Sequence, residues 1–351
     1  MENINLKSIR WESIKSVFLS IAHADRISRA DISAETDLSL MTVGKVADAL
    51  LDIGIIEQSK ETRASAGRRA GLLSINLDNF AVIFDLTCRN FCCCIMDMRL
   101  NPVQIIPYSY VDTISFPENF ERFLLHASHY LHGNMDMQHC VGVGVSVPGP
   151  YFPDTDRTLS PKHPYLESVH IASTIRRHLP DLPLFIEAGY NAAAASNISA
   201  IPDYKDKTIL YWCVSDTSIH GAVIHHNELL RGAHYLAGDF GNMIVSPAKV
   251  LNAAVKPANL PEDNALELAR AIHNVIRILD PDTIILECPM YENRPDFADL
   301  VRQMLQEKFD FTDNCLPQIT VVSESTPHAY RGLTMHLRES WLHDKVFRDK
   351  E

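Results

Sequence analysis

The sequence predicts an α/β protein with a helical module at its N-terminus. Amphipathic helical patterns occupy residues 9–52, and strand and helix patterns alternate from residue 79 onward. No stretch approaches the ~18 uninterrupted apolar residues of a membrane span. With 351 residues, the chain is long enough for two or three domains that need no disulfide bonds for stability.

The N-terminal module has the pattern of a winged helix-turn-helix. Ser28 and Ser39 each precede a short helical pattern, where a hydroxyl caps the first helical turn. The second of these helices is predicted to run over residues 40–52, after a short polar turn. Two short strands and a hairpin wing are predicted within residues 55–75. We therefore assign residues 1–76 to a winged helix-turn-helix DNA-binding domain.

Charge is distributed unevenly along the chain. Residues 1–75 contain ten Lys or Arg and ten Asp or Glu, whereas the whole chain has a net charge of −12. Such asymmetry indicates separate tasks for the two parts. The acidic total argues against a protein coated in nucleic acid, but it does not exclude a small basic patch.

Strand and helix patterns alternate in the rest of the chain. Strands are predicted at residues 81–86, 91–96, 140–147, 184–187, 208–214, 221–225, 283–287 and 319–322. Helices are predicted at residues 116–131, 168–178, 191–199, 264–279, 297–308 and 327–343. The pattern contains no short repeat and no low-complexity linker, so it predicts α/β structure throughout.

The eight cysteines predict reduced thiols rather than a metal site. None forms a CxxC pair, and Cys92, Cys93 and Cys94 lie together in an apolar strand. Adjacent residues of a strand point to opposite faces, which suits burial better than ligation. The charged N-terminus has no signal-peptide pattern. We therefore expect a cytoplasmic protein.

Several segments, taken in order, resemble the ROK family (repressors, open reading frames and kinases). The first are Gly67-Arg68-Arg69-Ala70 and a strand ending at Asp85. The others are residues 146–150, 159–161, 187–194, 229–234, 237–242 and 279–281. The resemblance implies a two-lobed actin-like, sugar-kinase (ribonuclease H-like) ATPase fold for residues 77–351. It assigns about residues 77–190 and the C-terminal helix to the first lobe, and about 191–325 to the second.

The glycine loops that hold nucleotide phosphates in family kinases are altered here. The Asp-x-Gly-Gly-Thr turn reads Asp-Leu-Thr-Cys-Arg-Asn over residues 85–90, and Gly-Thr-Gly-Ile-Gly reads Asp-Thr-Ser-Ile-His over 216–220. The glycine-rich adenosine segment has become Glu-Cys-Pro at 287–289. Added Cβ atoms and an added carboxylate both oppose phosphate binding. Only 14 of 351 residues are glycine, in keeping with these losses, and we expect no cofactor.

The catalytic base and the zinc ligands of the family are also absent from their positions. Phosphoryl transfer needs a carboxylate to accept the sugar hydroxyl proton, and Gly189 stands at that position. Asp85 is either a substitute base or, as we expect, a loop anchor. Asn242 replaces the zinc-ligating histidine, and residues 246–259, where the family's zinc-binding cysteines are expected, contain no cysteine. We expect no catalytic residue and no metal. The alternative is a sugar kinase that phosphorylates hexoses with ATP and has a DNA-binding domain attached.

An altered effector pocket is expected in residues 77–351, which are called the body below. The resemblance assigns it the residues Lys162, Glu187, Asn191, Asp239 and Asn242. Lys162, Asp239 and Asn242 replace an Asn, a Glu and a His among the family's sugar contacts, and Ala188-Gly189 replaces an Asn-Asp pair. Glucose-type specificity therefore does not carry over. One hypothesis is that Lys162 binds a carboxylate or phosphate of a sugar-derived effector. Another is that the body binds no small ligand and serves as a protein-docking surface.

DNA contacts are expected from the second helix of the module and from the wing. Ser39, Leu40, Met41, Thr42 and Lys45 lie in the part of that helix that faces base edges. Leu40 and Met41 are equally well explained as core or dimer residues.

The wing and linker supply the arginines Arg63, Arg68 and Arg69. Gly67-Arg68-Arg69 resembles the Gly-Arg-Pro linker of family regulators, which places arginine in the minor groove. One module contacts too few base pairs for specificity, so we expect a homodimer or larger homo-oligomer on a two-fold-related double-stranded operator. The expected function is transcription regulation, as a repressor of carbohydrate-related genes.

Overall fold

The computed structural model of the chain describes residues 11–59, 71–87, 90–160, 163–198, 201–309, 311–312, 315–322 and 328–347. The chain forms two compact units. Unit 1 comprises Met1–Ser146, Ser168–Ile186 and Leu333–Glu351, and unit 2 comprises Val147–Glu167 and Glu187–Gly332.

Both helices and strands are distributed along the whole described chain. The helices are α1 (Trp11–His23), α2 (Arg29–Thr36), α3 (Leu40–Asp52), α4 (Phe116–Asn134), α5 (Ile171–His178), α6 (Gly189–Ile198), α7 (Leu251–Ala254), α8 (Pro261–Leu279), α9 (Phe297–Phe309) and α10 (His328–Phe347). The first eight strands are β1 (Ile56–Gln58), β2 (Leu73–Ile75), β3 (Phe80–Asp85), β4 (Cys92–Asp97), β5 (Pro102–Pro107), β6 (Cys140–Val147), β7 (Tyr151–Phe152) and β8 (Arg157–Thr158). The remaining strands are β9 (Leu184–Ala188), β10 (Thr208–Val214), β11 (Ile219–His225), β12 (Glu228–Leu230), β13 (Ile244–Ser246), β14 (Lys249–Val250), β15 (Thr283–Glu287) and β16 (Gln318–Val322).

The N-terminal helices and the β1–β2 hairpin form a winged helix-turn-helix within unit 1. Helices α1, α2 and α3 pack together through fully buried apolar side chains such as Ile14, Ile32 and Leu50. Strands β1 and β2 are antiparallel. Ile27 adds a third backbone segment, because it exchanges two hydrogen bonds of 2.9 and 2.8 Å with Leu73. The predicted order of three helices followed by two short strands is confirmed, and residues 60–70 of the predicted wing lie outside the described residues.

Unit 1 also contains a five-stranded sheet of order β5-β4-β3-β6-β9. Strand β4 is antiparallel to both neighbours, and β3 is parallel to β6. Helix α4 packs on one face, where the rings of Phe84 and Phe123 lie 5.2 Å apart. Helix α10 packs on the other face at Gly144, where a Cβ would come within 3.0 Å of the Cβ of Leu333. Glycine at that position therefore permits the close approach of α10.

Unit 2 repeats the same strand order in the sheet β12-β11-β10-β15-β16. The first three strands are antiparallel neighbours, and β15 is parallel to both β10 and β16. Helix α6 packs on one face through a cluster that includes Ala194 and Tyr211. Helices α8 and α9 cover the other face, around Trp212 and Leu286. Each sheet thus has the arrangement expected of a ribonuclease H-like lobe.

Strand β5 was not among the predicted elements. It is the edge strand of its sheet, and most of its residues are exposed, so its sequence lacks a buried alternating pattern. Helix α8 begins at Pro261, three residues before the predicted start at residue 264. Proline suits the first position of a helix, because the backbone N–H that it lacks would have no partner there.

Candidate functional site

Helix α3 of the winged helix-turn-helix is fixed at its N-terminus by Ser39. The Ser39 Oγ accepts a hydrogen bond of 3.1 Å from the Thr42 backbone N–H and lies 2.9 Å from the Thr42 Oγ1. Asp37, in the turn before it, has a left-handed backbone with φ of 55°. The Arg29 side chain on α2 also forms an ion pair with Asp48 on α3. These contacts hold α3 in place within the module.

One face of α3 is buried and the start of the helix is exposed. Val43, Val46, Ala47 and Leu50 form the buried face. Leu40 and Met41 are 57% and 70% exposed, and Lys45 is exposed as well. Within this chain Leu40 and Met41 are therefore not core residues. The predicted base-reading residues lie together on the accessible end of the helix.

The β1–β2 hairpin is paired up to the residues that flank the predicted wing. The Ser59 backbone N–H donates to the Leu72 carbonyl at 2.8 Å, which closes the hairpin next to the wing. The predicted minor-groove residues Arg63, Arg68 and Arg69 lie outside the described residues. Their roles in DNA binding stay predictions.

The winged helix-turn-helix packs against α10 within unit 1, a contact that the sequence did not indicate. Arg338 of α10 is 4% exposed, donates to the Met98 carbonyl at 2.7 Å, and lies over the Phe18 ring of α1 at 5.4 Å. Burial lowers the pKa of Arg338 to about 10. Lys15 of α1 also pairs with Glu339. The first helix of the module is thus attached to the C-terminal helix by charged contacts.

The pKa of His23, at the end of α1, is affected by this contact. Burial and the nearby Arg338 guanidinium lower its pKa below the ordinary 6.5, whereas Glu35 acts in the opposite direction. Protonation of His23 therefore opposes the packing of α1 in the folded module.

Glu187 and Asn191 lie in unit 2 at the junction between β9 and α6. The Glu187 Oε1 accepts hydrogen bonds from the Ala188 N–H and the Asn191 Nδ2, each at 3.0 Å. Its Oε2 accepts from the Nε and Nη2 of Arg231, at 3.2 and 2.5 Å. Glu187 is 8% exposed, so this is a mostly buried carboxylate with four donors around it.

Asp239 and Asn242 form a second pair in unit 2. Asp239 precedes a short 3₁₀ helix, Phe240–Asn242, and the Asn242 Nδ2 lies 3.1 and 2.8 Å from its two carboxylate oxygens. Gly238 before it has a φ of 87°, and a Cβ there would come within 2.3 Å of the Gly221 carbonyl oxygen. Glycine is therefore required for the turn that positions Asp239.

The carboxylates of both pairs, Glu187 and Asp239, act electrostatically on Tyr190. Burial raises the pKa of the Tyr190 phenol, and the nearby carboxylates of Asp239 and Glu187 raise it further. The Tyr190 ring stacks on the His220 ring, with centroids 5.0 Å apart and planes 11° apart. Four of the five predicted effector residues are thus gathered in unit 2, and Lys162 lies outside the described residues.

Arg231 was missed as a site residue, although it lies in a segment that carried the family resemblance. Its position next to Glu187 depends on a contact between residues 44 apart in the chain. Sequence spacing alone does not indicate such a contact. The one sequence feature that could have indicated Arg231 is a basic residue at the start of the Arg-Gly-Ala-His segment, which is exposed in the structure.

Backbone N–H groups in the two altered phosphate loops are bonded within their own loops or units. In unit 1, the Thr87 N–H and hydroxyl donate to the Asp85 Oδ1 at 2.9 and 2.6 Å. Asp85 is therefore a loop anchor, as expected. In unit 2, the Ser218 N–H donates to the Ser215 Oγ at 3.1 Å, and the Ile219 N–H donates to Asn252 at 2.7 Å.

The described residues contain neither a cluster arranged for a metal ion nor a helix suited to a membrane. No group of three or more His, Cys, Asp or Glu side chains in that part of the chain is arranged to hold a metal ion. Over the same residues, no helix combines the length and apolar character that crossing a membrane requires.

No protein-family model and no curated protein matches the sequence. Among solved structures, a ROK family transcriptional regulator described as a homologue of the E. coli MLC protein is similar over 95% of this chain and 98% of its own, with 14% identity and a TM-score of 0.73.

Two further solved structures are similar over about three quarters of this chain. A ROK family protein from Streptococcus pneumoniae TIGR4 in complex with sucrose is similar over 76% of this chain and 98% of its own, with 18% identity and a TM-score of 0.60. A ROK family glucokinase from Streptomyces griseus in complex with glucose and AMPPNP is similar over 74% of this chain and 99% of its own, with 13% identity and a TM-score of 0.59. The chain therefore has the ROK fold, and the likeness to the regulator includes the N-terminal helices.

Proposed function

Given the ROK fold and its N-terminal extension, we propose that this protein is a sequence-specific DNA-binding transcriptional regulator that acts as a repressor of carbohydrate-related genes. The observation that carries the proposal is a winged helix-turn-helix whose second helix exposes Leu40, Met41 and Lys45 while burying its opposite face. The similarity to a ROK regulator over 95% of the chain supports it. Fold alone does not establish function, so the DNA-binding surface is the decisive feature.

Each of the predicted base-reading residues at the start of α3 has a chemical role in this proposal. Ser39 and Thr42 hydroxyls hydrogen-bond to base edges, and Leu40 and Met41 contact thymine methyl groups. Lys45 contacts guanine or a phosphate. Arg63, Arg68 and Arg69 act from the wing and linker, where arginine is attracted by the negative potential of a narrow minor groove.

A dimer on a two-fold-related operator is part of the proposal. A single module reads only a few base pairs, and two-fold symmetry in the protein matches two half-sites in the duplex. Since the partner is chromosomal DNA, we place the protein in the cytoplasm.

We also propose that the body does not phosphorylate sugars. Gly189 begins α6 at the position of the catalytic base, and glycine accepts no proton. The N–H groups of Thr87, Ser218 and Ile219 are already bonded to protein oxygens rather than directed to a phosphate. The body instead serves for dimerisation and for sensing a sugar or sugar-derived effector.

The alternative function is ATP-dependent hexose phosphorylation, and the likeness of the body to a ROK glucokinase favours it. Incubation of the purified protein with ATP and a panel of hexoses separates the two. We expect no ATP turnover above the protein-free control. Formation of any hexose phosphate would overturn our assignment of the body as inactive.

The experiment that tests DNA binding is selection of bound duplexes from random DNA, followed by fluorescence anisotropy on the selected operator. We expect Lys45→Ala to weaken binding and, where Lys45 contacts a phosphate, to reduce the slope of log affinity against log salt by about 1. Arg68→Ala should cost about 1–3 kcal/mol of operator affinity. Lys205→Ala is the matched control, because it removes an exposed lysine from unit 2. A protein that prefers no duplex over random competitor would refute the proposal.

A further inference from the structure

The carboxylate of Glu187 has no capacity left for a ligand hydroxyl. An ionised carboxylate offers about four lone-pair directions. In Glu187 these accept from Ala188, from Asn191 and twice from Arg231. A neutral sugar hydroxyl that donated to Glu187 would have to displace one of these donors. Recognition of neutral sugars by this residue is therefore disfavoured.

Arg231, in contrast, has donors to spare. A guanidinium carries five N–H groups, and Glu187 takes one from Nε and one from Nη2. The Arg231 side chain is 41% exposed, whereas that of Glu187 is 10% exposed. The remaining N–H groups of Arg231 therefore lie on the side facing solvent, away from the buried Glu187 carboxylate.

Glu187 fixes the orientation of the Arg231 guanidinium before any ligand binds. Ala188 and Asn191 fix one carboxylate oxygen of Glu187, and the other oxygen holds two nitrogens of Arg231. An arginine oriented in this way loses little freedom when an anion binds to its open edge. Planar guanidinium groups match the two oxygens of a carboxylate or phosphate.

Among the described residues near Glu187 and Arg231, Tyr190, His220 and Asp239 add polar and aromatic groups. Tyr190 stacks on the His220 ring, and the carboxylates of Asp239 and Glu187 raise the pKa of its phenol. Asp239 retains acceptor capacity beyond its contact with Asn242. Since Asp239 is itself negative, binding of an anion here must depend on directed hydrogen bonds from Arg231 rather than on a general positive field.

We propose that Arg231 is the receptor for an anionic group, a carboxylate or a phosphate, on the hydroxylated small-molecule effector of this protein. The proposal rests on the proposed function, in which the body senses an effector, and it names the class of effector and a residue that determines specificity. Glu187 acts as the positioning residue for Arg231, and Asp239 accepts hydroxyl groups of the same ligand.

The test is calorimetric titration of the full chain with four probes: glucose, glucuronate, glucose 6-phosphate and inorganic phosphate. We expect glucuronate or glucose 6-phosphate to bind at least about tenfold more tightly than glucose. Glucuronate binding identifies a carboxylate as the recognised group, and glucose 6-phosphate or phosphate binding identifies a phosphate. Equal binding of glucose and the anions, or no binding of any probe, would overturn the proposal.

Matched arginine variants assign the effect to Arg231. Arg231→Gln should weaken binding of the preferred anion by about tenfold or more. Arg231→Lys should weaken it less, because lysine keeps the positive charge but lacks the two parallel N–H donors of a guanidinium. Arg294→Gln is the control. Arg294 also lies in unit 2, is 44% exposed and is paired with a carboxylate, but its partner Asp296 is exposed. An equal loss in Arg294→Gln would overturn the assignment, and the four-probe comparison on the unmodified chain applies even where Arg231→Gln fails to fold.

Operator binding measured on the same preparation keeps the two proposals apart. A chain that binds its operator selectively but binds none of the anionic probes contradicts only the effector proposal. A chain that binds an anion through Arg231 but prefers no duplex contradicts the DNA-binding function instead.

Discussion

The crossing of α10 over α6 in unit 2 depends on Gly332, and Gly332→Ala tests this dependence. A Cβ at residue 332 would lie 1.8 Å from the Ala192 carbonyl oxygen and 2.5 Å from its carbonyl carbon. Both are backbone atoms of a helix, so no side-chain rotation relieves the clash, and one helix must move by about 1 Å or more.

The size of the effect follows from two opposing terms. Alanine is favoured over glycine by about 1 kcal/mol inside a helix. Overpacking at a close contact costs about 1–3 kcal/mol, and more where backbone must shift. We therefore expect Gly332→Ala to lower the free energy of unfolding by about 1–2 kcal/mol. Because Ala192 follows Asn191 directly in α6, the substitution should also disturb the Glu187 site.

Gly44→Ala is the matched control for this substitution. Gly44 lies inside α3, and a Cβ there would meet no atom within 4 Å. The same chemical change should therefore raise stability by about 0.5–1 kcal/mol.

The assay is urea unfolding of the variants, combined with hydrogen exchange followed by mass spectrometry on the peptides of α3, α6 and α10. We expect faster exchange in α6 and α10 of Gly332→Ala and slower exchange in α3 of Gly44→Ala. If both variants were stabilised to the same extent, the close packing of α10 on α6 would be refuted.

Three further predictions concern unit 1. Ser39→Ala should cost about 1 kcal/mol and speed amide exchange at the start of α3, since the helix loses its N-cap; unchanged exchange would contradict the role of the cap. Asp85→Ala should cost about 1–3 kcal/mol in thermal unfolding because Thr87 loses its acceptor, whereas Asp85→Asn keeps an acceptor oxygen and should cost less. The pKa of His23 is lower in the folded chain than its ordinary 6.5, so the unfolded chain takes up this proton first as pH falls. Stability contributed by neutral His23 is therefore present above about pH 6.5 and is lost below it, and His23→Gln should flatten that part of the stability profile; a parallel profile would refute the assignment.

Local patterns were sufficient to predict the elements that carry the DNA-binding proposal. Ser28 and Ser39 were predicted as caps from their residue type and position, and both accept the expected backbone hydrogen bonds. The buried face of α3 followed from helical periodicity. Edge strand β5 was not predicted, because an exposed edge imposes no apolar alternation on its residues.

The sequence by itself determined the α/β class, the winged helix-turn-helix, and the absence of a carboxylate at Gly189. Each of these is encoded by residue type and short-range periodicity, which act over a few neighbouring positions. Only the tertiary structure decided that Glu187 accepts hydrogen bonds from Arg231, that Tyr190 stacks on His220, and that Arg338 lies against α1. These contacts join residues far apart in the chain, and long-range pairing depends on how helices and sheets pack, which no local pattern specifies.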